Sequence, residues 1–150
     1  MQFNNPQQAL RWAYETINRP IVRVNGEPSD DLHAEAALLL SRCERVLPNL
    51  HFAYIRVQFG REAGGFDLLV RHISANFNAG TSCNRGIETI IRAYCGEKIG
   101  LRGIRKSLST GMLKAASMRN RGYDCLDAIH EQAMEILGRE LEEYFEKEIA

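Results

Sequence analysis

Apolar residues recur along most of this chain at intervals of three and four, and that rhythm predicts helices nearly from end to end. Asn4 and Asn5 ahead of Pro6 read as a helix start, with Leu10, Ala13, Tyr14 and Ile17 on the buried face and Pro20 closing it. Ile21 to Pro28, containing Asn25-Gly26, reads as a loop or a short hairpin-like excursion with no sheet beyond it. Ser29 and Asp30 are placed to cap a second helix to about Val46, with Leu32, Ala36, Leu39, Leu40, Cys43 and Leu47 inward and Pro48 as its stop. A third helix, about Asn49 to Phe59, carries Leu50, Phe52, Tyr54, Ile55 and Val57. A fourth, Phe66 to Phe77, turns Leu69, Val70 and Ile73 inward. Ser82 or Asn84 caps a fifth helix through Tyr94, closed by Gly96, and a short sixth covers about Leu101 to Leu108. After the turn Ser109-Thr110-Gly111 the helical pattern runs from Met112 almost to the end, with breaks expected at Gly122 and Gly138. Its later stripe is Leu126, Ile129, Ala133, Ile136, Leu137, Leu141, Tyr144 and Phe145. The chain therefore reads as all-α: one 150-residue domain with a helical pair over 1–48, a helix-turn-helix-like core over 49–125 and an acidic C-terminal helix over 126–150.

Charge changes that picture. The chain is neutral overall, but Arg85 to Arg121 holds nine basic residues against two acidic, while residues 124–150 hold nine acidic against two basic. The cations of the middle third alternate with Ile87, Ile90, Ile91, Tyr94, Ile99, Leu101, Ile104, Leu108, Met112 and Leu113. Interleaving of this kind predicts folded helices with those apolar residues buried and a cationic face outside, the electrostatic footprint of a polyanion binder.

A helix, a short second helix, a three-residue turn and a longer helix is the order of a helix-turn-helix DNA reader, in which the last helix enters the major groove. Ile104, Leu108, Ala115 and Met118 are assigned to its hinge core. The stretch from about Leu50 to Leu126 resembles the helix-turn-helix domains of phage late-gene regulators, nearest to the Q-type antiterminators of lambdoid phages, which are similar to the promoter-reading region of bacterial sigma factors. The resemblance is carried by the helix with Tyr54 and Phe59, the helix end Ile91-x-x-Tyr94-Cys95-Gly96, the spacing Leu101-x-x-Ile104-x-x-x-Leu108 and the extension from Arg119-Asn120-Arg121 to Leu126. Ser109 stands where many such readers carry glycine, and Arg105 where many carry a small residue. The resemblance implies a phage- or prophage-type transcription regulator that binds double-stranded DNA and, in the antiterminator case, RNA polymerase. Within it, Arg102, Arg105 and Lys106 hold phosphates, Ser109, Thr110, Lys114, Ser117 and Arg121 lie on or near the helix that reads bases, and Arg119 is a further exposed DNA-binding residue. The C-terminal helix offers two roles: core packing for Leu126 to Leu137, and association after Gly138 with a second copy or with polymerase.

Other chemistries find less to work with. Cys83, Cys95, Cys125 and His130 match no compact zinc spacing. Asp124, Asp127, His130 and Glu131 share one helix face, the nearest approach to a metal-dependent hydrolase, but helix surfaces commonly carry such sets. Cys95 has no paired base nearby in sequence, and Gly64-Gly65-Phe66-Asp67 lacks the features of a phosphate loop. No enzyme activity, metal or cofactor is expected. A small protein-interaction module that binds host machinery without DNA is the remaining alternative class. No run reaches the ~18 apolar residues of a membrane span, and the first residues lack the plan of a secretion signal, so the expected location is cytoplasmic.

Overall fold

The computed structural model describes residues 2–20, 23–24, 27–28, 31–77 and 83–145. Among them the architecture is all-α, built from α1 (Pro6–Asn18), α2 (Asp31–Val46), α3 (Asn49–Gln58), α4 (Phe66–Phe77), α5 (Asn84–Tyr94), α6 (Leu101–Leu108) and α7 (Met112–Glu140). Between α1 and α2, β1 (Arg23–Val24) pairs antiparallel with β2 (Glu27–Pro28), setting Val24 opposite Glu27 and Arg23 opposite Pro28. The expected turn Asn25-Gly26 and the expected caps Ser29, Asp30 and Ser82 lie outside the described residues. No described helix is long and apolar enough to cross a membrane.

The chain separates into two compact units, Met1–Phe52 with Gln132–Ala150, and Ala53–Glu131. Helices α3 and α7 contribute residues to both.

In the first unit, α1 begins as expected. The Asn5 side chain accepts from Gln8 N (2.8 Å), Gln8 Oε1 accepts from Asn4 N (2.8 Å), and Pro6 fills the first turn, where its missing N–H costs nothing. Ala9, Leu10, Leu39, Cys43, Leu137, Leu141 and Phe145 gather around one small apolar space. Burial pushes the Cys43 thiol up to about 12. Ile17 and Leu32, expected inward, are 37% and 52% exposed, because Ala13, Tyr14 and Thr16 on one helix and Ala36, Leu39 and Cys43 on the other already fill the buried arc.

The segment after Gly138 is held within this unit. Leu141 is buried, the Phe3 N–H donates to the Tyr144 carbonyl (2.8 Å), and Arg42 pairs with Glu143 while its guanidinium lies 5.4 Å from the Tyr144 ring centre. These contacts occupy part of the surface that sequence reading reserves for association.

In the second unit the core is Tyr54, Ile55, Leu69, Ile73, Ile87, Ile90, Ile91, Ile104, Ala115 and Leu126, each almost wholly buried. Three of its helices end by the same device, a residue in the left-handed region followed by an N–H that reaches back over the last turn. Arg61 (φ 52) follows α3, Gly96 (φ 100) follows α5 and Ser109 (φ 52) follows α6. The returning bonds are Glu62 N–H to the Arg56 carbonyl (3.0 Å), Glu97 N–H to that of Arg92 (3.1 Å) and Thr110 N–H to that of Arg105 (3.4 Å).

Two expectations about helix ends are corrected here. Asn84 is the first residue of α5 rather than its cap; Cys83 takes that position without a side-chain bond. Helix α7 runs unbroken through Gly122 and Gly138. Gly122 is buried, and a Cβ there would come within 2.9 Å of Ile90 Cγ2, so this glycine permits close helix packing instead of ending a helix.

Candidate nucleic-acid interface

The candidate interface lies in the second unit and is built from α5, α6, the turn 109–111 and the first turns of α7. Gly86 on α5 lets α6 approach closely: a Cβ there would meet Leu108 Cδ2 at 2.2 Å and Leu108 Cα at 3.2 Å. Thr89 Oγ1 donates to Ser107 Oγ (3.1 Å), and Ser107 Oγ donates to the Gly103 carbonyl (3.0 Å), a polar tie across the same contact. Ile104 is buried from α6 and Ala115 from α7, while Leu108 and Met118 are half-buried beside them. Two of the four hinge positions are thus buried and two are half-buried. Ser109 takes φ 52 and ψ 49, the conformation for which glycine is the usual choice, so the turn opens at the residue expected to open it.

That frame fixes where the polar residues lie. Arg102, Arg105 and Lys106 are exposed on α6, and Lys114 and Ser117 are exposed on α7. Ser109, Thr110, Lys114, Ser117 and Arg121 meet around a hollow of about 390 Å³, completed by Phe77, Cys83, Leu108 and Met118. Arg119 is half-buried, lies outside that hollow and donates from Nε and Nη2 to Asn120 Oδ1 (3.2 Å each). Arg121 is partly committed: Nη2 donates to the Asn76 carbonyl (2.8 Å) and the guanidinium lies 5.2 Å from the Phe77 ring centre. Among the described residues Arg92 is tied to Glu88 (2.8 Å), whereas Arg85, Lys98, Arg102, Arg105, Lys106 and Lys114 make no ion pair. Between Glu97 and Asp124 the sequence contains no acidic residue.

Met112 and Leu113 do not follow expectation. The alternating pattern assigns them to the buried face, yet they are 43% and 91% exposed. The inward stripe of α7 is Ala115, Gly122, Leu126, Ile129, Ala133 and Leu137, with Met118 half-buried between, and Leu113 falls out of phase with it. Asn120, also left out of the expected contact residues, is exposed on the same side as Ser117 and Arg121.

Two of the groups that suggested a metal or hydrolytic site, Asp127 and His130, hydrogen-bond tyrosines. Tyr94 O–H donates to Asp127 Oδ1 (2.7 Å), and Tyr54 Oη bonds His130 Nδ1 at 2.6 Å. Tyr54 is fully buried, and burial raises its phenol well above the usual range. Among the described residues no three His, Cys, Asp or Glu side chains gather as metal ligands. Burial, with Glu97 adding to it, pushes the Cys95 thiol up to about 11, which keeps it protonated and weakly nucleophilic at neutral pH. Cys95 lines a second hollow of about 320 Å³ with Gln58, Arg61, Phe66, Arg92 and Glu97, where the buried Gln58 Oε1 has no partner among the described residues.

Comparison of the chain with protein-family models, with curated proteins and with solved structures finds no match to any of them.

Proposed function

We propose that this protein is a transcription regulator that binds double-stranded DNA through α6, the turn and the start of α7. One observation carries the reading. A short helix and the first turn of the next, joined at a left-handed Ser109 over an inward-facing Ile104–Ala115 hinge, leave Arg102, Arg105, Lys106 and Lys114 exposed and without ion pairs among the described residues. The α6 cations so placed hold phosphates, and Lys114 with the α7 side chains beside it reaches base edges. Ser109, Thr110, Lys114 and Ser117 are the candidate base-side contacts. Arg121, braced by Asn76 and Phe77, is better placed to set the orientation of α7, and Arg119 contributes charge.

The narrower form, a phage- or prophage-type antiterminator that also engages RNA polymerase, rests on the resemblance described above. Homodimerisation through the C-terminal helix has less support, since Leu137 and Leu141 are already buried within the first unit. A second reading, a protein-interaction module without DNA, is favoured by the exposed Met112–Leu113 pair.

A random-sequence duplex pool offered to the purified protein at low salt separates the readings. Retention of duplex, with altered sequence preference in Lys114→Ala and Ser117→Ala, supports the regulator. Failure to retain any duplex rejects it.

A further inference from the structure

The exposed pair Met112–Leu113 carries an inference that rests on the DNA-binding reading and deepens it. Singly exposed leucines are ordinary. Here, however, two adjacent apolar side chains open a helix directly after a turn, and one of them is 91% exposed. Along α7 the exposed positions Leu113, Ser117, Asn120 and Arg121 follow at steps of four, three and one, so they form one outward stripe that begins with the apolar residue.

The surroundings indicate what covers that residue. No acidic residue occurs from Lys98 to Tyr123, and exposed Lys114 adjoins Leu113 in sequence. An apolar contact framed by cations suits a polyanion that has apolar points of its own. In a B-form duplex the apolar feature of the major groove is the C5-methyl group of thymine, and residues at the start of a reading helix are those that reach base edges.

We propose that Leu113, with Met112 beside it, is a specificity residue that packs on thymine methyl groups, so that the preferred site contains thymine at one or two positions facing the start of α7. Ser117 and Asn120 on the stripe then read hydrogen-bonding edges further along, while Leu113 distinguishes thymine by its methyl alone.

The test begins with the duplex that the wild-type protein selects from a random pool. Each thymine of that duplex is replaced in turn by deoxyuridine, which removes only the methyl group. At one or two positions affinity falls about fourfold, the worth of one buried methyl-sized group. Leu113→Ser erases that discrimination, while its melting temperature and the salt dependence of its duplex binding stay at wild-type values. If no deoxyuridine substitution weakens wild-type binding, or if Leu113→Ser discriminates as the wild type does, the inference is overturned and the DNA-binding reading stands. If Leu113→Ser keeps the discrimination but loses binding to purified RNA polymerase, the patch belongs to a protein partner and the inference is likewise overturned. If the wild type selects no duplex at low salt, both fall together.

Discussion

Leu108, the last residue of α6, sits where a side chain on Gly86 would have to be: a Cβ at that glycine would fall 2.2 Å from Leu108 Cδ2 and 3.2 Å from Leu108 Cα. The leucine side chain can rotate away, but the backbone atom cannot. This approach therefore fixes how closely α5 and α6 pack and, through Leu108, where the following turn begins.

Gly86→Ala tests that relationship. Alanine favours helix over glycine by about 1 kcal/mol, but overpacking costs about 1–3 kcal/mol. The expected result is a net loss of stability of up to about 2 kcal/mol, read as a lower urea midpoint at unchanged slope. In a Leu108→Ala background the loss shrinks, because the two changes share one contact. A Gly86→Ala protein more stable than wild type would show that the helices are further apart than described.

Ser109 offers the opposite case. Its backbone lies at φ 52, ψ 49, where an L-residue is strained and glycine is not. Ser109→Gly is expected to raise stability by about 0.5–1 kcal/mol, since relief of strain outweighs the greater freedom glycine gives the unfolded chain. Ser109→Val, β-branched, lowers it. Thermal melting checks both directions, and a lower melting temperature for Ser109→Gly would place the turn in a different register.

How far the sequence speaks follows from how local each signal is. Helices α4 and α6 have the bounds the pattern gives, because glycines and apolar spacing mark their ends within a few residues. The hinge positions Ile104 and Ala115 were legible for the same reason. Gly122 reads as a break in sequence because its partner Ile90 is 32 positions away, and only packing shows that a small residue is needed there. Tyr54 with His130 and Tyr94 with Asp127 are pairs of side chains distant in sequence that no spacing rule joins. Leu113 is exposed because it lies out of phase with the buried stripe of Ala115, Gly122, Leu126 and Ile129, which hydrophobicity alone does not reveal.

The first unit gives a prediction in pH. Hydrogen bonding and charge from Arg42 hold the Glu143 carboxyl below its usual 4.5. A lowered carboxyl favours the folded state above the ordinary value, and that contribution is lost as pH falls through the folded one. In Arg42→Gln the Glu143 value should return towards 4.5, as followed by the pH dependence of its side-chain carbon NMR signal. A wild-type Glu143 that titrates at the ordinary value would mean that the pair does not form in solution.

The central claim, that the exposed cations of α6 meet phosphates, is tested most directly by duplex affinity measured between 50 and 200 mM salt. If Arg102, Arg105 and Lys106 each neutralise one phosphate, log K falls against log salt with a slope of about −3, and Arg105→Glu with Lys106→Glu flattens it by about 2. An affinity that stays level with salt, or a slope that the double charge reversal leaves unchanged, would contradict the account.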